Sequence, residues 1–214
     1  MPLDATTRIL AIRHGETAWN VATRIQGNTD IGLNDIGLAQ ARRVADALRD
    51  EVVNAVYSSD LLRARQTAEA ICASTSAPLS LDAGLRERAF GVFEGLTWAE
   101  IASRFPLESQ RWRNRDLSFA AEDGGEALPD FFARCMGAVR RIAKAHPGQT
   151  VVIVAHGGVM DCLYRAATRL ELDAPRSWTL GNATINRLLC TSEGLGLIGW
   201  NDDSHLAHLS LDEV

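Results

Sequence analysis

Residues 9–12 form a short apolar run, Ile-Leu-Ala-Ile, that has no polar face and leads directly into Arg13 and His14. Such a run is typical of a strand inside a parallel sheet that is covered on both faces. In an open α/β sheet, ligands bind at the carboxyl ends of the strands, where Arg13 and His14 stand. Gly15 permits a tight turn and a close approach to a ligand, and the segment after it can begin a helix. The stretch therefore predicts an anion site, with phosphate as the expected anion.

Residues 150–154 repeat this arrangement, because an apolar, β-branched run is followed by Ala155, His156 and Gly157. Short motifs of this kind have a high rate of chance matches, and either histidine alone is compatible with a satisfied core residue. Two strands of one chain that each end in His-Gly are hard to attribute to chance. The pair favours a functional site.

The rest of the chain alternates predicted helices and strands, as an α/β protein does. Helices are predicted over residues 34–50, 61–71, 97–105 and 126–145, the second with a Ser/Asp cap, and strands over 55–57 and 78–81. Residues 182–190 and 195–200 predict two further strands, joined at 192–194 as a hairpin at the sheet edge.

Length and charge limit the classes of function. The 214 residues, 46% of them apolar, fit one substantial domain over 1–214. A net charge of −5 argues against general binding to nucleic acid or to anionic membranes, so any affinity for anions must be local. No apolar signal core or membrane-spanning run is present, and we expect a cytoplasmic protein.

The cysteines and two histidines near the end of the chain offer weaker signals. Cys72, Cys135, Cys162 and Cys190 form no C-x-x-C pair and fit reduced thiols of a cytosolic protein. Cys162 follows His156 and is open to a nucleophilic role, but a helix would bury it. His205 and His208 have a spacing that can hold a metal on a helix, although two lone ligands more often lie on the surface. We predict no metal site.

Three further groups have two readings each. Arg63 and Arg65 follow the strand at 55–57, but residues two apart lie on nearly opposite faces of a helix, so only one of them can face the site. Glu87 lies between two arginines and is either an ordinary ion-pair residue or a proton donor near a phosphate. The basic segment formed by Arg104, Arg111, Arg113 and Arg115 around Trp112 is either a solvated face or a surface helix or lid that touches an acidic part of a substrate.

Four motifs in order resemble the histidine phosphatase (phosphoglycerate mutase-like) superfamily. They are Arg13-His14-Gly15-Glu16-Thr17, Ser59-x-x-x-Arg63-Ala64-x-x-Thr67, Leu85-Arg86-Glu87 and Ala155-His156-Gly157-Gly158. The resemblance runs over nearly the whole chain and is far more specific than any single motif. It implies a three-layer α/β/α sandwich with a mainly parallel central sheet, here with an antiparallel edge strand, and a phosphohistidine intermediate.

Carried over residue by residue, the resemblance makes His14 the nucleophile and places Arg13, Arg63 and His156 on the phosphoryl oxygens. It selects Arg63 over Arg65 and aligns Glu87 with the family's proton donor. A further set is assigned to segments that line the substrate pocket: Asn20, Gln26, Gly27 and Thr184.

The resemblance covers phosphatases and mutases alike. Cofactor-dependent mutases are longer between the glutamate motif and the second histidine, and Gly158-Val159 here replaces the mutase-like Asn-Ser. We therefore predict a metal-independent phosphatase of a small phosphorylated metabolite that needs no cofactor. A phosphoglycerate mutase is the alternative, and a phospho-ligand binding protein without turnover is a third. A homodimer would be unsurprising for the family.

Overall fold

The computed structural model describes residues 6–207. His208 lies outside that range, so the predicted pairing of His205 and His208 has no structural outcome. One mixed sheet forms the centre of the fold, in the order β3-β2-β4-β1-β5-β6. Its strands are β1 (Thr7–Arg13), β2 (Ala55–Ser58), β3 (Leu79–Leu81), β4 (Thr150–Ala155), β5 (Ile185–Thr191) and β6 (Gly194–Asp202).

Four strands are parallel and two are antiparallel additions at one edge. β1 pairs in parallel with β4, which pairs in parallel with β2, and β2 with β3. β5 runs antiparallel to β1, and β6 returns antiparallel to β5 as the predicted hairpin. The prediction of a mainly parallel sheet with an antiparallel edge is confirmed.

Helices cover both faces of the sheet, which confirms the three layers. They are α1 (Ala18–Val21), α2 (Asp35–Ala47), α3 (Leu62–Thr75), α4 (Trp98–Arg104), α5 (Pro106–Arg113), α6 (Leu128–Ala145) and α7 (Gly157–Thr168). Alternate residues of a strand point to opposite faces, so Ile9 and Ala11 pack with α6 and α7 while Leu10 and Ile12 pack with α2 and α3. No helix within residues 6–207 is long and apolar enough to cross a membrane.

The caps of these helices agree with the sequence in part. Asn34, the first residue of the helix predicted over 34–50, accepts a hydrogen bond from the Gly37 N–H and caps α2. The Ser/Asp cap predicted for α3 is wrong, because Leu61 occupies that position and contributes no side-chain bond. Asp30 accepts from the Leu62 N–H instead, at 2.6 Å. A loop distant in sequence thus caps α3, which a local pattern could not reveal.

A separate aromatic cluster forms a cap, residues 90–121, outside the sandwich. Its buried centre consists of Phe93, Ile101 and Phe119, and Trp112 stacks on Phe93 with ring centroids 5.4 Å apart. Two short 3-10 helices, Ala83–Leu85 and Gly91–Phe93, lead into the cap, and a third, Ser204–Leu206, follows β6. α4 and α5 belong to this cap, so the predicted surface helix around Trp112 has a core of its own.

Candidate active site

The register of the sheet brings the two histidines together. Arg13 lies opposite Ala155 in the parallel ladder between β1 and β4, so the next residues, His14 and His156, leave the sheet side by side. The His14 N–H donates to the Ala155 carbonyl at 3.0 Å. The two imidazole centroids are 5.2 Å apart. Both predicted histidines therefore occupy one point at the carboxyl ends of the central strands.

His14 is held in one tautomer by the backbone. Its Nδ1 lies 2.7 Å from the Gly15 carbonyl oxygen, which can only accept, so Nδ1 carries the proton and Nε2 keeps its lone pair. Burial, followed by the charges of Arg63 and Arg13, lowers the pKa of His14 well below the ordinary imidazole value. The ring is therefore neutral at physiological pH and carries a free nitrogen nucleophile.

Gly15 packs closely against α2. A Cβ at Gly15 would lie 2.5 Å from the carbonyl oxygen of Gly37 in α2, and a Cβ at Gly37 would lie 2.0 Å from the Glu16 carbonyl oxygen. This packing requires a glycine at position 15, and the expectation that Gly15 lets the backbone approach a ligand stays a prediction. The Gly15 N–H donates to the Thr67 hydroxyl at 3.1 Å, which fixes the loop against α3.

Arg63 reaches the site from the first turn of α3 and is fully buried. Its Nη1 and Nη2 donate to the carbonyls of Thr29 and Gly27, at 2.9 and 2.7 Å. Burial lowers the pKa of Arg63 to about 10, so it still carries its charge at neutral pH. Arg65 points away and pairs with Glu69 on the surface. The structure brings Arg63 and not Arg65 to the cavity.

Arg13 adds a second buried guanidinium to the site, and His156 adds a second imidazole. Arg13 donates through Nη1 to the Leu180 carbonyl, and burial lowers its pKa. His156 is the residue before α7 and has no exposed surface, and burial lowers its pKa well below the ordinary value. The charge of Arg63 acts in the same direction on His156. His156 is thus a neutral imidazole.

Several buried polar atoms around His14 have no hydrogen-bond partner among the described residues. They are the Nε atoms of Arg13 and Arg63, both ring nitrogens of His156 and Oε1 of Gln26. Buried donors without partners are costly, and such a group in a folded protein calls for an explanation. An anion with several oxygens, placed beside His14 Nε2, would satisfy the donors of this set together.

Glu87 faces the same cavity from the segment after the first 3-10 helix. Its Oε1 accepts from the Arg88 N–H at 2.8 Å and its Oε2 from the Gly158 N–H at 2.9 Å. The structure gives Glu87 no ion pair with either neighbouring arginine, since Arg86 pairs with Asp60 and Arg88 donates to backbone carbonyls. Of the two readings, the carboxyl at the phosphate site is the one that the geometry favours.

The remaining predicted substrate residues divide into two groups. Asn20, Gln26 and Gly27 line a cavity of about 890 Å³, and its wall also includes Arg13, His14, Arg63 and Glu87. The buried His156 is not part of the wall and lies beside His14. Thr184 does not belong to the cavity wall; its side chain is buried and donates to the Gly181 carbonyl at 3.1 Å. Gly181 lines the cavity, so Thr184 supports the wall from behind instead of forming it.

The outer half of the cavity is formed by the cap and by the loop after α7. It is aromatic and basic, and its side chains are Trp98, Trp112, Arg113, Arg115, Arg176 and Trp178. The reading of the basic segment as a lid is thus the one that fits Arg113 and Arg115. Arg111 does not contribute, because it pairs with Asp116 at 2.7 Å on the surface.

Cys162 is buried in α7, and all four cysteines are free thiols. Its contact with Cys135 and its burial raise its pKa well above the ordinary thiol value. A thiol of this kind is a poor nucleophile. The reading of Cys162 as a nucleophile therefore has no support from its surroundings. Within residues 6–207, no group of three or more His, Cys, Asp or Glu side chains is placed to hold a metal ion.

Three supporting residues were not predicted. Asn182 donates to the carbonyls of His14 and Gly15, at 2.9 and 3.3 Å, and so fixes the loop that carries His14. Leu180 supplies the carbonyl that holds Arg13. Asp161 lines the cavity from α7. Their contacts join segments more than a hundred residues apart or depend on the placement of α7, and no local pattern signals them.

The chain is similar to known proteins over nearly its whole length. Residues 9–203 match the histidine phosphatase superfamily (branch 1). The chain is 37% identical to the metal-independent phosphoserine phosphatase of Arabidopsis thaliana, over 94% of this chain and 84% of the relative. It is 36% identical to phosphoglycerate mutase-like protein 4 of the same plant, over 92% and 86%.

A solved structure has the same fold. The Bacillus stearothermophilus protein YhfR superposes with a TM-score of 0.86 and 31% identity, over 94% of this chain and 99% of that one. The predictions of an enzyme, of a phosphatase and of its superfamily are confirmed. The chain belongs to the histidine phosphatase superfamily (branch 1).

Proposed function

We propose that this enzyme hydrolyses a small phosphomonoester without a metal, through a phosphohistidine formed on His14. One observation carries the proposal: a neutral imidazole with a free Nε2 lies at the base of a cavity, beside buried donors on Arg13, Arg63 and His156 that have no partner among the described residues. A phosphoryl group placed there meets a nucleophile and positive charge at once. The name of the Arabidopsis phosphatase supports chemistry without a metal.

In the first step, Nε2 of His14 attacks phosphorus in line with the ester bond. A P–N bond forms, the P–O bond to the leaving group breaks, and the proton of a protonated Glu87 goes to the leaving oxygen. Arg13, Arg63 and His156 face the equatorial oxygens, where charge must be stabilised. No redox partner or metal is needed for this balance.

In the second step, water attacks the phosphohistidine. Glu87, now a carboxylate, takes a proton from the water; the P–N bond breaks, and orthophosphate leaves. The Gly158 N–H at the start of α7 and the Arg88 N–H hold the two carboxylate oxygens, so the same group is oriented for both steps. In this mechanism Glu87 is first the acid and then the base, and His14 is the covalent nucleophile.

A mutase would use the same first step but pass the phosphoryl group to a bound phosphoglycerate. The name of one relative keeps this alternative open. The test is phosphate release in EDTA from p-nitrophenyl phosphate and a panel of phosphorylated metabolites, with conversion of 3- to 2-phosphoglycerate followed in parallel, with and without 2,3-bisphosphoglycerate. Phosphate release without conversion supports the proposal. Conversion that depends on the bisphosphate identifies a mutase.

Two expectations from the sequence stay predictions. Fractionation of cells tests the cytoplasmic location, and sedimentation of the pure protein tests the homodimer.

A further inference from the structure

One face of α7 forms a wall of the cavity. Gly157, Gly158 and Asp161 all line it, and positions three and four apart on a helix lie on the same side. The Gly158 N–H holds Glu87, which would protonate the leaving oxygen. Asp161 therefore lies about one helical turn from Gly158, whose N–H binds the carboxylate that would protonate the leaving oxygen.

Asp161 is held rigidly through only one of its oxygens. Its Oδ2 accepts from Arg165 Nε at 2.9 Å and from Arg115 Nη2 at 3.0 Å. Arg165 is fully buried, donates to the Ala174 carbonyl at 2.9 Å and lies over the Trp178 ring. Arg115 reaches Asp161 from the cap and also donates to the Leu172 carbonyl. The carboxylate is fixed by two guanidinium groups from two different parts of the fold.

The second oxygen has no such role. Oδ1 of Asp161 is buried and has no hydrogen-bond partner among the described residues. Joining the cap to α7 requires Oδ2 alone, so a purely structural ion pair leaves the Oδ1 acceptor unexplained. A buried acceptor without a partner is costly, and a ligand with an N–H or O–H group would remove that cost.

We propose that Asp161 selects substrates whose leaving part carries an amino or hydroxyl group close to the ester oxygen, and that Oδ1 accepts a hydrogen bond from it. This inference rests on the proposed phosphatase reaction. Arg113 and Arg176 line the same half of the cavity and form no ion pair within residues 6–207. They would favour a negative charge beside the donor. The substrate class is a phosphorylated amino or hydroxy acid.

A series of three substrates tests, in the unmodified enzyme, whether the amino or hydroxyl group of the substrate contributes to turnover. O-phosphoserine carries an ammonium group, 3-phosphoglycerate carries a hydroxyl in its place, and 3-phosphooxypropanoate carries neither, while all three share the phosphate and the carboxylate. We expect kcat/KM to be about 10- to 100-fold lower for the compound without a donor, because the site's acceptor is then left unpaired. Equal values for all three would overturn the proposal.

Asp161→Asn shows whether Asp161 is the acceptor. The two guanidinium groups require an oxygen at the Oδ2 position, so the amide NH₂ takes the place of Oδ1 and turns an acceptor into a donor. We expect the two donor-bearing substrates to lose most of their advantage over the third. An equal loss on all three would mean that Asp161 only supports the cap.

Asp202→Asn is the matched control. Asp202 also pairs with an arginine, Arg187, at 2.6 Å, but it does not line the cavity. This variant should keep the differences in kcat/KM that the unmodified enzyme shows between the three substrates.

Turnover of p-nitrophenyl phosphate by the unmodified enzyme separates the two proposals. Its absence contradicts the phosphatase reaction itself, whereas its presence together with equal kcat/KM values for the three substrates contradicts only the role of Asp161. Should Asp161→Asn fail to fold, equal values in the unmodified enzyme would still overturn the proposal.

Discussion

The rings of His14 and His156 lie 5.2 Å apart, tilted by 60°, and both are buried beside Arg63. The parallel register of β1 and β4 sets this distance, since Arg13 and Ala155 are paired immediately before the two histidines. Burial and the neighbouring guanidinium charge keep both rings neutral. One can then act as a nucleophile, while the other donates a hydrogen bond without adding a charge.

The neutrality of these histidines predicts how stability depends on pH. In the unfolded chain each imidazole titrates near pH 6.5, whereas the folded values are lowered, so below about 6.5 the unfolded state binds more protons. The contribution of the two histidines to the free energy of unfolding should therefore be complete above about pH 6.5. It should fall as the pH drops toward the folded pKa values, by up to about 1.4 kcal/mol per pH unit for each histidine.

Urea unfolding at a series of pH values measures this. Comparing the unmodified enzyme with His156→Gln isolates one of the two histidines, because the contributions of the carboxylates are common to both proteins. The slope below about pH 6.5 should be shallower in the variant. Identical slopes would show that His156 is not held neutral by the fold.

Arg63→Lys tests whether Arg63 binds the phosphoryl group, with Arg65 on the same helix as the control. Lysine keeps the charge but cannot bind the Gly27 and Thr29 carbonyls and still present a planar Nε–H. We expect kcat/KM for p-nitrophenyl phosphate to fall about 100- to 1000-fold, as for the loss of one transition-state donor. Arg65→Lys, on the exposed face, should change it little; a similar loss in both variants would rule out the assignment.

Glu87→Gln should separate substrates by their leaving groups. An alkyl phosphate needs a proton on its leaving oxygen, whereas p-nitrophenolate leaves without one, so we expect the variant to lose about 100- to 10,000-fold on alkyl phosphates and less on p-nitrophenyl phosphate in the first step. Single-turnover kinetics on both substrates provides the measurement. An equal effect on the two would remove the acid role from Glu87.

Gly158→Ala tests whether the position of the Glu87 carboxylate matters, because it moves this group without changing its chemistry. A Cβ at Gly158 would lie 2.1 Å from Glu87 Oε1, so the carboxylate must move. We expect the same dependence on the leaving group as for Glu87→Gln. Gly137→Ala in α6 is the control, since nothing lies within 4 Å of its Cβ. It should leave kinetics unchanged and stabilise the helix by about 0.5–1 kcal/mol; normal activity of Gly158→Ala would contradict the geometry.

The sequence predicted the parts of the site that follow directly from strand ends. β1 and β4 are apolar runs, each followed by His-Gly, and a parallel sheet places such ends together whatever the loops do. The choice of Arg63 over Arg65 came from the resemblance, and the structure explains it: the two face opposite sides of α3. Here periodicity and register carry enough information.

The sequence could not predict the contacts that loops make with distant segments. Asp30 caps α3, Leu180 holds Arg13 and Asn182 holds the His14 loop, and each contact depends on how distant segments settle on the finished sheet. Of the aromatic cap, the sequence predicted the helix over 97–105 and a basic segment around Trp112 that is either a solvated face or a surface helix or lid. It did not reveal their shared core, because Phe93, Trp112 and Phe119 pack with each other and not with the sheet. Thr184, expected on the cavity wall, lies behind it and supports Gly181, and the sequence could not predict this because it depends on how the loop packs on the finished sheet.

Trapping the covalent intermediate tests the central claim most directly. Glu87→Gln mixed rapidly with labelled p-nitrophenyl phosphate should form the phosphohistidine, since this leaving group needs no acid, and then hydrolyse it slowly because water lacks its base. Quenching in alkali and mapping the label by mass spectrometry should find it on His14, with none in a protein that also carries His14→Ala. Label on His156, or continued turnover with no label on the protein, would contradict the account.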